Sequence, residues 1–222
     1  MEIHAPERHV QSLPEIALHL AIVTIGILIA LGLEQTVEWY RHRELAAEAR
    51  ETILNEIRSN RQELSSEMPR FARHHSNAVQ VLDFMTDMLD RGKSDRHGFQ
   101  LTISQARLRN TSWSTAQTVG ALSFMPYAEL EKYASIYRRQ DDFLLAQNRT
   151  EDAVVGAYSV FAARNVFEKL SHAELEAERG RLMATLSALT LEMQIADGLI
   201  RSYDALLSGK PAQSAAAPSK QK

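Results

Sequence analysis

The sequence has no cysteine among its 222 residues, and it has only 9 glycines and 6 prolines. Without cysteine there can be no disulfide bond, no thiolate metal site and no cysteine nucleophile. The scarcity of glycine and proline leaves long stretches without a helix breaker, and no stretch is patterned like a strand. Alanine, leucine, glutamate and arginine, which favour helices, are plentiful instead. We therefore predict an all-α fold.

An excess of charge of one sign is missing as well, because 25 lysines and arginines are set against 28 aspartates and glutamates. The net charge of −3 and the isoelectric point near 6.2 provide no basic surface for a phosphate backbone. We therefore predict no nucleic-acid partner.

Enzyme motifs are a third absence. The sequence contains no H-E-x-x-H, no Walker or dinucleotide glycine motif and no G-x-S-x-G. The acidic pairs Asp141-Asp142 and Glu151-Asp152 lie beside basic or polar residues, on a helical face that should be solvated. We predict that the protein is not an enzyme and that it has no catalytic residue and no cofactor.

What the sequence does have is one long apolar stretch, Ile16 to Leu33, which carries no formal charge and includes His19. At about 1.5 Å per residue it spans roughly 27 Å, close to the hydrocarbon thickness of a bilayer. Trp39 and Tyr40 follow at a distance that suits the headgroup level. We predict a transmembrane helix over residues 12–34, with the lipid bilayer as a partner.

Two alternatives to a membrane span remain open. A buried core helix of a soluble protein is one, although such helices are usually shorter. A cleaved signal peptide is the other, because Ala30 and Gly32 resemble the small residues of a cleavage site. The single cation Arg8 and the length of the apolar run count against cleavage. The capping box of Ser12 and Glu15 marks a helix start in either case.

One face of the apolar helix carries small residues. Gly26 and Ala30 form a small-x-x-x-small pair, which permits close approach of a second helix. His19 shares this face and could donate a hydrogen bond between helices, or it could reach the interface from its place near the helix end. We predict His19, Gly26 and Ala30 as candidates for membrane-helix association. The alternative is that the two small residues fall on one face by chance.

Helical pattern continues after the apolar stretch. Residues 34–67 contain no glycine or proline, and their apolar residues recur at steps of three and four. We predict one continuous helix from Pro14 to about Ser66, which would leave the bilayer as a stalk. Pro69 should end it, since proline removes a helical hydrogen bond. A separate helix should cover residues 70–91.

The runs EIALHLAIVTIGILIAL, EWYRHRE and ILNEIRSNRQEL resemble a large group of uncharacterised bacterial single-pass membrane proteins, a domain-of-unknown-function family. In that group an N-terminal E-I…IGILIAL span leads directly into a charged helix. The resemblance covers about residues 14–64, and it departs at the N-terminus, where basic residues are common in the group but scarce here. It implies a bacterial inner membrane and a helical extramembrane part, and it supplies no catalytic residues.

The rest of the chain reads as a bundle. We expect a loop over residues 92–110, a short helix from about Ser112 to Leu122 and a long helix from about Ser123 to Asn165. A capping box of Ser171 and Glu174 should start the last helix, which Gly209 should end. The predicted organisation is a tail (1–11), the transmembrane helix (12–34), an extramembrane antiparallel helical bundle (35–208) and a disordered tail (209–222).

Aromatic and histidine side chains are the remaining candidates for a site. Trp113, Tyr133 and Tyr137 could line a ligand or partner surface, and core packing is the alternative for all three. His74 and His75 are adjacent, but no carboxylate or histidine stands four residues further on. We therefore predict no metal site, with His75 as a polar interruption of a packed apolar row.

The side of the membrane that holds the bundle stays open. Arg8 precedes the apolar stretch, whereas Arg41, Arg43 and Arg50 follow it. By the positive-inside rule this places the bundle in the cytoplasm. The family that the chain resembles has basic N-termini, which would place the bundle in the periplasm.

Two functions fit these features. The first is a membrane-anchored interaction or scaffold protein that acts through helix–helix contacts, with a second copy or another membrane protein as partner. The second is a membrane-tethered sensory bundle that binds a small ligand between helices. A cavity lined by Trp113 and the tyrosines would favour the second, and a filled core would favour the first.

Overall fold

The computed structural model describes residues 13–95, 103–164 and 170–209, with the side chains of residues 158–164 left out. These ranges contain four α-helices and one short 3-10 helix, and they contain no strand. The elements are α1 (Leu13–Arg91), α2 (Thr111–Thr118), the 3-10 helix (Ala121–Phe124), α3 (Tyr127–Arg164) and α4 (His172–Leu207). The predicted all-α fold, with a long N-terminal helix and a bundle, is confirmed.

Contacts divide the chain into two compact units, Met1–Glu48 and Ala49–Lys222. In the first unit α1 is exposed along its apolar stretch, and none of its most apolar 18-residue window is buried. The helix is long and apolar enough to cross a membrane. Its hydroxyls bond within the helix, since Thr24 donates to the Leu20 carbonyl at 2.8 Å and Thr36 to the Gly32 carbonyl at 2.7 Å. Polar groups satisfied in this way tolerate lipid.

The prediction that Pro69 ends the first helix is wrong, because α1 continues through it to Arg91. The separate helix predicted over residues 70–91 is therefore the last part of α1. Interior proline costs about 3 kcal/mol. The side chains of Leu64 and Phe71, on either side of it, are fully buried, and burial of two large apolar groups offsets that cost. The helix ends where Gly92 takes a left-handed φ of 67°.

In the second unit, α3, α4 and the part of α1 from Ala49 onward surround one core. Apolar residues spaced at three and four on each helix supply it, as the periodicity predicts. The largest fully buried apolar side chains are Ile53, Ile57, Leu64, Phe71, Val81, Met85, Phe143, Leu182, Leu199 and Tyr203. Two phenylalanines, one on α1 and one on α3, meet here with ring centroids 6.4 Å apart.

Helix α4 runs antiparallel to both other long helices. Early in the bundle part of α1, Arg61 pairs with Asp204 near the end of α4 at 2.9 Å. Later in α1, His75 Nε2 lies 3.2 Å from the hydroxyl of Thr190. The pairing positions thus rise along α1 and fall along α4.

Helices α1 and α3 are parallel, a feature that the periodicity does not reveal. Arg50 contacts Glu129 through two hydrogen bonds of 2.6 and 2.9 Å, and Asn60 contacts Gln140 at 2.9 Å. Positions on the two helices therefore rise together. Because α3 begins beside Arg50 whereas α1 ends at Arg91, the chain between them has to come back toward the start of the bundle. The described residues 103–110 run in that direction, since Arg107 contacts Glu63 and Arg109 contacts Asn60.

Local signals set the remaining boundaries. The short helix predicted from Ser112 to Leu122 is divided, because Gly120 lies between α2 and the 3-10 helix with a left-handed φ of 74°. The capping box at the start of α4 is confirmed, with the Ser171 hydroxyl accepting from the Glu174 amide. Ser12, the proposed N-terminal cap of α1, lies outside the described residues.

We expect Pro69→Ala to stabilise the bundle by about 1–3 kcal/mol, since alanine restores the amide that can donate to the Ser65 carbonyl and removes a steric clash. Pro69 is exposed, so little packing is lost. Unfolding of the full chain in detergent, followed by circular dichroism, measures the change. Gln62→Ala, exposed on the same helix, is the control and should change stability by less than about 0.5 kcal/mol. Destabilisation by Pro69→Ala would contradict the continuous helix.

Candidate functional site

The small-residue face of the apolar stretch is open. His19, Gly26 and Ala30 are all exposed, and an added Cβ at Gly26 would meet nothing within 4 Å. The ring Nδ1 of His19 lies 3.3 Å from the Glu15 carbonyl, one turn earlier. Nothing in the described protein occupies this face, so a second helix could reach it.

The predicted aromatic surface is mostly interior. Tyr133 and Tyr137 are buried, and their hydroxyls donate to Glu129 Oε1 at 2.9 Å and Glu56 Oε1 at 2.7 Å. Burial, followed by these hydrogen bonds, raises the pKa of both phenols. The half-buried Trp113 ring stacks on Tyr137 with centroids 5.3 Å apart. The two tyrosines therefore pack in the core, as the alternative to a ligand or partner surface predicted.

A short extended segment, residues 103–110, lies against α1 and α3, and we call it the strap. It contacts α3 mainly through the buried side-chain amide of Gln147. The amide of Ala106 donates to Gln147 Oε1 at 2.8 Å, and Gln147 Nε2 donates to the Ala106 carbonyl at 3.3 Å. One side chain thus satisfies both main-chain groups of one residue, as a neighbouring strand would in a sheet.

A second amide repeats this arrangement three residues later in the strap. The Arg109 amide donates to Asn60 Oδ1 at 2.9 Å, and Asn60 Nδ2 donates to the Arg109 carbonyl at 2.7 Å. Gln140 Nε2 also donates to that carbonyl, at 2.9 Å. The hydroxyl of Tyr203 donates to Gln140 Oε1 at 2.8 Å, which ties α4 into the same network.

Two glutamates of α1 complete the contacts with the main chain. Glu63 Oε1 accepts from the Arg107 amide at 3.1 Å, and Glu56 Oε2 accepts from the Ser112 amide at 2.9 Å. With Asn60, these residues recur at steps of four and three, so they share one face of α1. Sequence reasoning missed this network. The sequence signal for it was that Asn60, Gln140 and Gln147 occupy helix positions that are otherwise apolar.

Two adjoining grooves run along the surface between α3 and α4, with volumes of about 550 and 580 Å³, and Arg139 lines both. The first is lined by residues that include Ala128, Lys132, Ile136, Ser202, Ala205 and Leu206. The second is lined by residues that include Leu145, Ala146, Arg149, Ala188, Leu191 and Ile195. Leu145 of α3 and Leu191 of α4, which both line the second groove, are each 51% exposed.

A small cavity of about 10 Å³ lies beneath the first residues of the strap. Polar groups line it from three elements, among them His74 of α1, Thr150 of α3 and Glu192 of α4. Glu192 is only 3% exposed, and burial raises the pKa of its carboxyl group. The Ser104 hydroxyl of the strap, which also lines the cavity, is buried and has no hydrogen-bond partner in the described part of the chain.

Metal ligands do not cluster in the part of the chain that the structure describes, where no group of three or more histidine and acidic side chains could hold an ion. His75, predicted to interrupt a packed row, is half-buried and contacts Thr190.

Comparison of the chain with protein-family models, with curated proteins and with solved structures gave no match. The resemblance of residues 14–64 to single-pass membrane proteins stays a prediction.

We expect Asn60→Ala to destabilise the bundle by about 2–4 kcal/mol, because it leaves the Arg109 amide without its acceptor and removes three hydrogen bonds of a buried side chain. Asn55→Ala, at an exposed site on the same helix, is the matched control and should change stability by less than about 0.5 kcal/mol. Urea unfolding of the full chain in detergent measures both. Equal effects of the two substitutions would show that the strap contacts contribute nothing.

Proposed function

We propose that the protein is a membrane-anchored interaction or scaffold protein, which acts through helix–helix contacts made by its membrane segment and by its bundle. The observation that carries the proposal is the exposure of two apolar surfaces, the N-terminal stretch of α1 and the α3–α4 grooves. Exposed apolar surface is unfavourable in water and marks a contact site for lipid or protein.

The proposed partner of the first surface is the lipid bilayer, in a bacterial inner membrane crossed once. Every large apolar side chain from Ile16 to Leu33 is about half exposed or more. Burial in lipid would remove this area from water, and the favourable free energy of transfer is roughly 1.5–3 kcal/mol for each large side chain. A core helix of a soluble protein would be mostly buried, and this stretch is 0% buried.

A second copy of the chain, or another membrane protein, is the proposed partner of the small-residue face. Gly26 and Ala30 lack the bulk that keeps helix backbones apart, and close packing of backbones drives association in lipid. The open space around Gly26 means that a larger residue there leaves the single chain undisturbed.

The proposed partner of the α3–α4 grooves is an amphipathic helix of another protein. Small residues on the groove floor, such as Ala146 and Ala188, allow a helix to approach, and the exposed Leu145 and Leu191 supply apolar contact. All charged residues that line the grooves belong to α3: Lys132, Arg139 and Arg149 on the basic side, and Glu131 and Asp142 on the acidic side. The excess of basic groups favours a partner with acidic residues on the flank toward α3.

We expect Gly26→Leu with Ala30→Leu to weaken self-association in the membrane about tenfold, since bulky side chains separate the backbones. A membrane reporter assay of helix association measures it. Ala21→Leu with Gly32→Leu is the matched control, because these small residues lie on a different face of the helix. If the unsubstituted chain and both double variants associate equally, the small-residue face is not a contact site.

The groove is tested by a photo-crosslinking amino acid at position 145 in the full chain, in living cells. We expect an adduct whose partner peptide, identified by mass spectrometry, is an amphipathic helix with acidic residues. Arg139→Glu should reduce its yield several-fold by charge repulsion. The same probe at the exposed Asn148 on α3 is the control. An adduct with this chain itself, or equal adducts at both positions, would contradict the proposed partner.

A further inference from the structure

The cavity under the strap contains a buried carboxyl group without a cation. Glu192 is 3% exposed, and no lysine or arginine contributes to its electrostatic environment among the described residues. An ionised carboxylate in such a place would lack the water or positive charge that it needs. Burial and the absence of a cation both favour its neutral, protonated form.

The groups around Glu192 do not alter this conclusion. From α1, His74 lines the cavity, and burial, followed by the charge of Arg73, lowers the pKa of its imidazole, which favours the uncharged ring. From α3, a hydrogen bond with the Thr150 side chain lowers the pKa of the Glu192 carboxyl group, but by less than burial raises it. Glu151 of α3, at the cavity edge, accepts from the side chain of Gln105.

The second observation concerns the Ser104 hydroxyl of the strap. Its oxygen is buried in the cavity wall and has no hydrogen-bond partner in the described structure. A buried hydroxyl without a partner is destabilising, because it has lost its hydrogen bonds to water. The cavity volume of about 10 Å³ is close to the minimum that accommodates one water molecule, and the polar lining provides partners for it.

We propose that this cavity is a proton and water site, in which protonated Glu192 and one water molecule bound to the Ser104 hydroxyl hold the start of the strap on the bundle. Loss of the proton from Glu192 to solvent leaves a carboxylate that has to be hydrated. Water then enters, and the strap moves away from the cavity.

We call the structure with the strap held on the bundle the closed form. The direction of the pH effect follows from the raised pKa of Glu192 in this form. Its contribution to the closed form is fully present below the ordinary carboxyl pKa and is lost as pH rises through the raised value. High pH therefore opens the strap, and low pH closes it. This inference does not depend on the proposed function.

Hydrogen exchange of the full chain in detergent, with rates corrected for their intrinsic pH dependence, tests the proposal at the Ala106 amide, which the strap contributes to Gln147. We expect protection to fall by up to about tenfold for each pH unit between the ordinary carboxyl pKa and the raised one, and then to level off. In Glu192→Gln, which cannot ionise, protection should be independent of pH. Glu176→Gln, exposed on α4, is the control and should follow the natural protein.

Three results would overturn the proposal: protection in the natural protein that does not change with pH, a Glu192→Gln profile like that of the natural protein, or equal loss of protection at the core amide of Ile57. The last would show global unfolding in place of local opening. Titration of the Glu192 carboxyl carbon by NMR in the unsubstituted chain gives an independent reading. Its midpoint should be raised and should coincide with the end of the change in protection.

Discussion

An uncovered apolar surface is the constraint on which the rest depends. No residue of the described protein buries the most apolar window of α1, and its polar side chains at Thr24 and Thr36 already bond within the helix. In water this surface would drive aggregation, whereas in a bilayer it is stable. The proposal of a membrane anchor rests on this exposed stretch. Interaction through helices is the function that we propose for it.

The bundle resolves a topological problem that follows from parallel α1 and α3. The chain that joins two parallel helices has to come back toward the start of the bundle. Where that chain is extended, its main-chain amides and carbonyls have no helical hydrogen bonds and need other partners. The amides of Asn60, Gln140 and Gln147 satisfy those groups from buried positions. Their hydrogen bonds to the strap all go to its main chain, so the hold of these amides on the strap does not depend on the side chains of Ala106 and Arg109. The strap is thereby a structural element, although it has neither helix nor strand.

Hydrophobic periodicity was enough to predict helical structure on both sides of Pro69 and in α3 and α4, since each helix of the bundle has to bury one face. The capping box at Ser171 and the glycine ends at Gly92 and Gly209 were also readable, because their causes are local. Pro69 was misread, because the packing of Leu64 and Phe71 overrides a local preference. A proline penalises a helix without deciding its end.

The site was less accessible to sequence reasoning. The strap contacts join residues about 30 to 50 positions apart, and the parallel pairing that creates them has no signature in a periodic pattern. The cavity beside Glu192 depends on three elements that meet only in the folded chain. The aromatic residues Tyr133 and Tyr137 attracted attention by their chemistry, yet their hydroxyls bond to glutamates inside the bundle.

Carbonate extraction of membranes from cells that express the full chain tests the central claim most directly, because alkaline carbonate releases proteins that do not cross the bilayer. We predict that the intact chain stays in the membrane pellet and retains residues 13–33. A variant with Leu20→Arg and Ile27→Arg should leave it, since each central arginine costs about 2.5–3.5 kcal/mol on insertion. Release of the natural chain into the supernatant, or a mature protein that begins near Leu33, would contradict the membrane anchor.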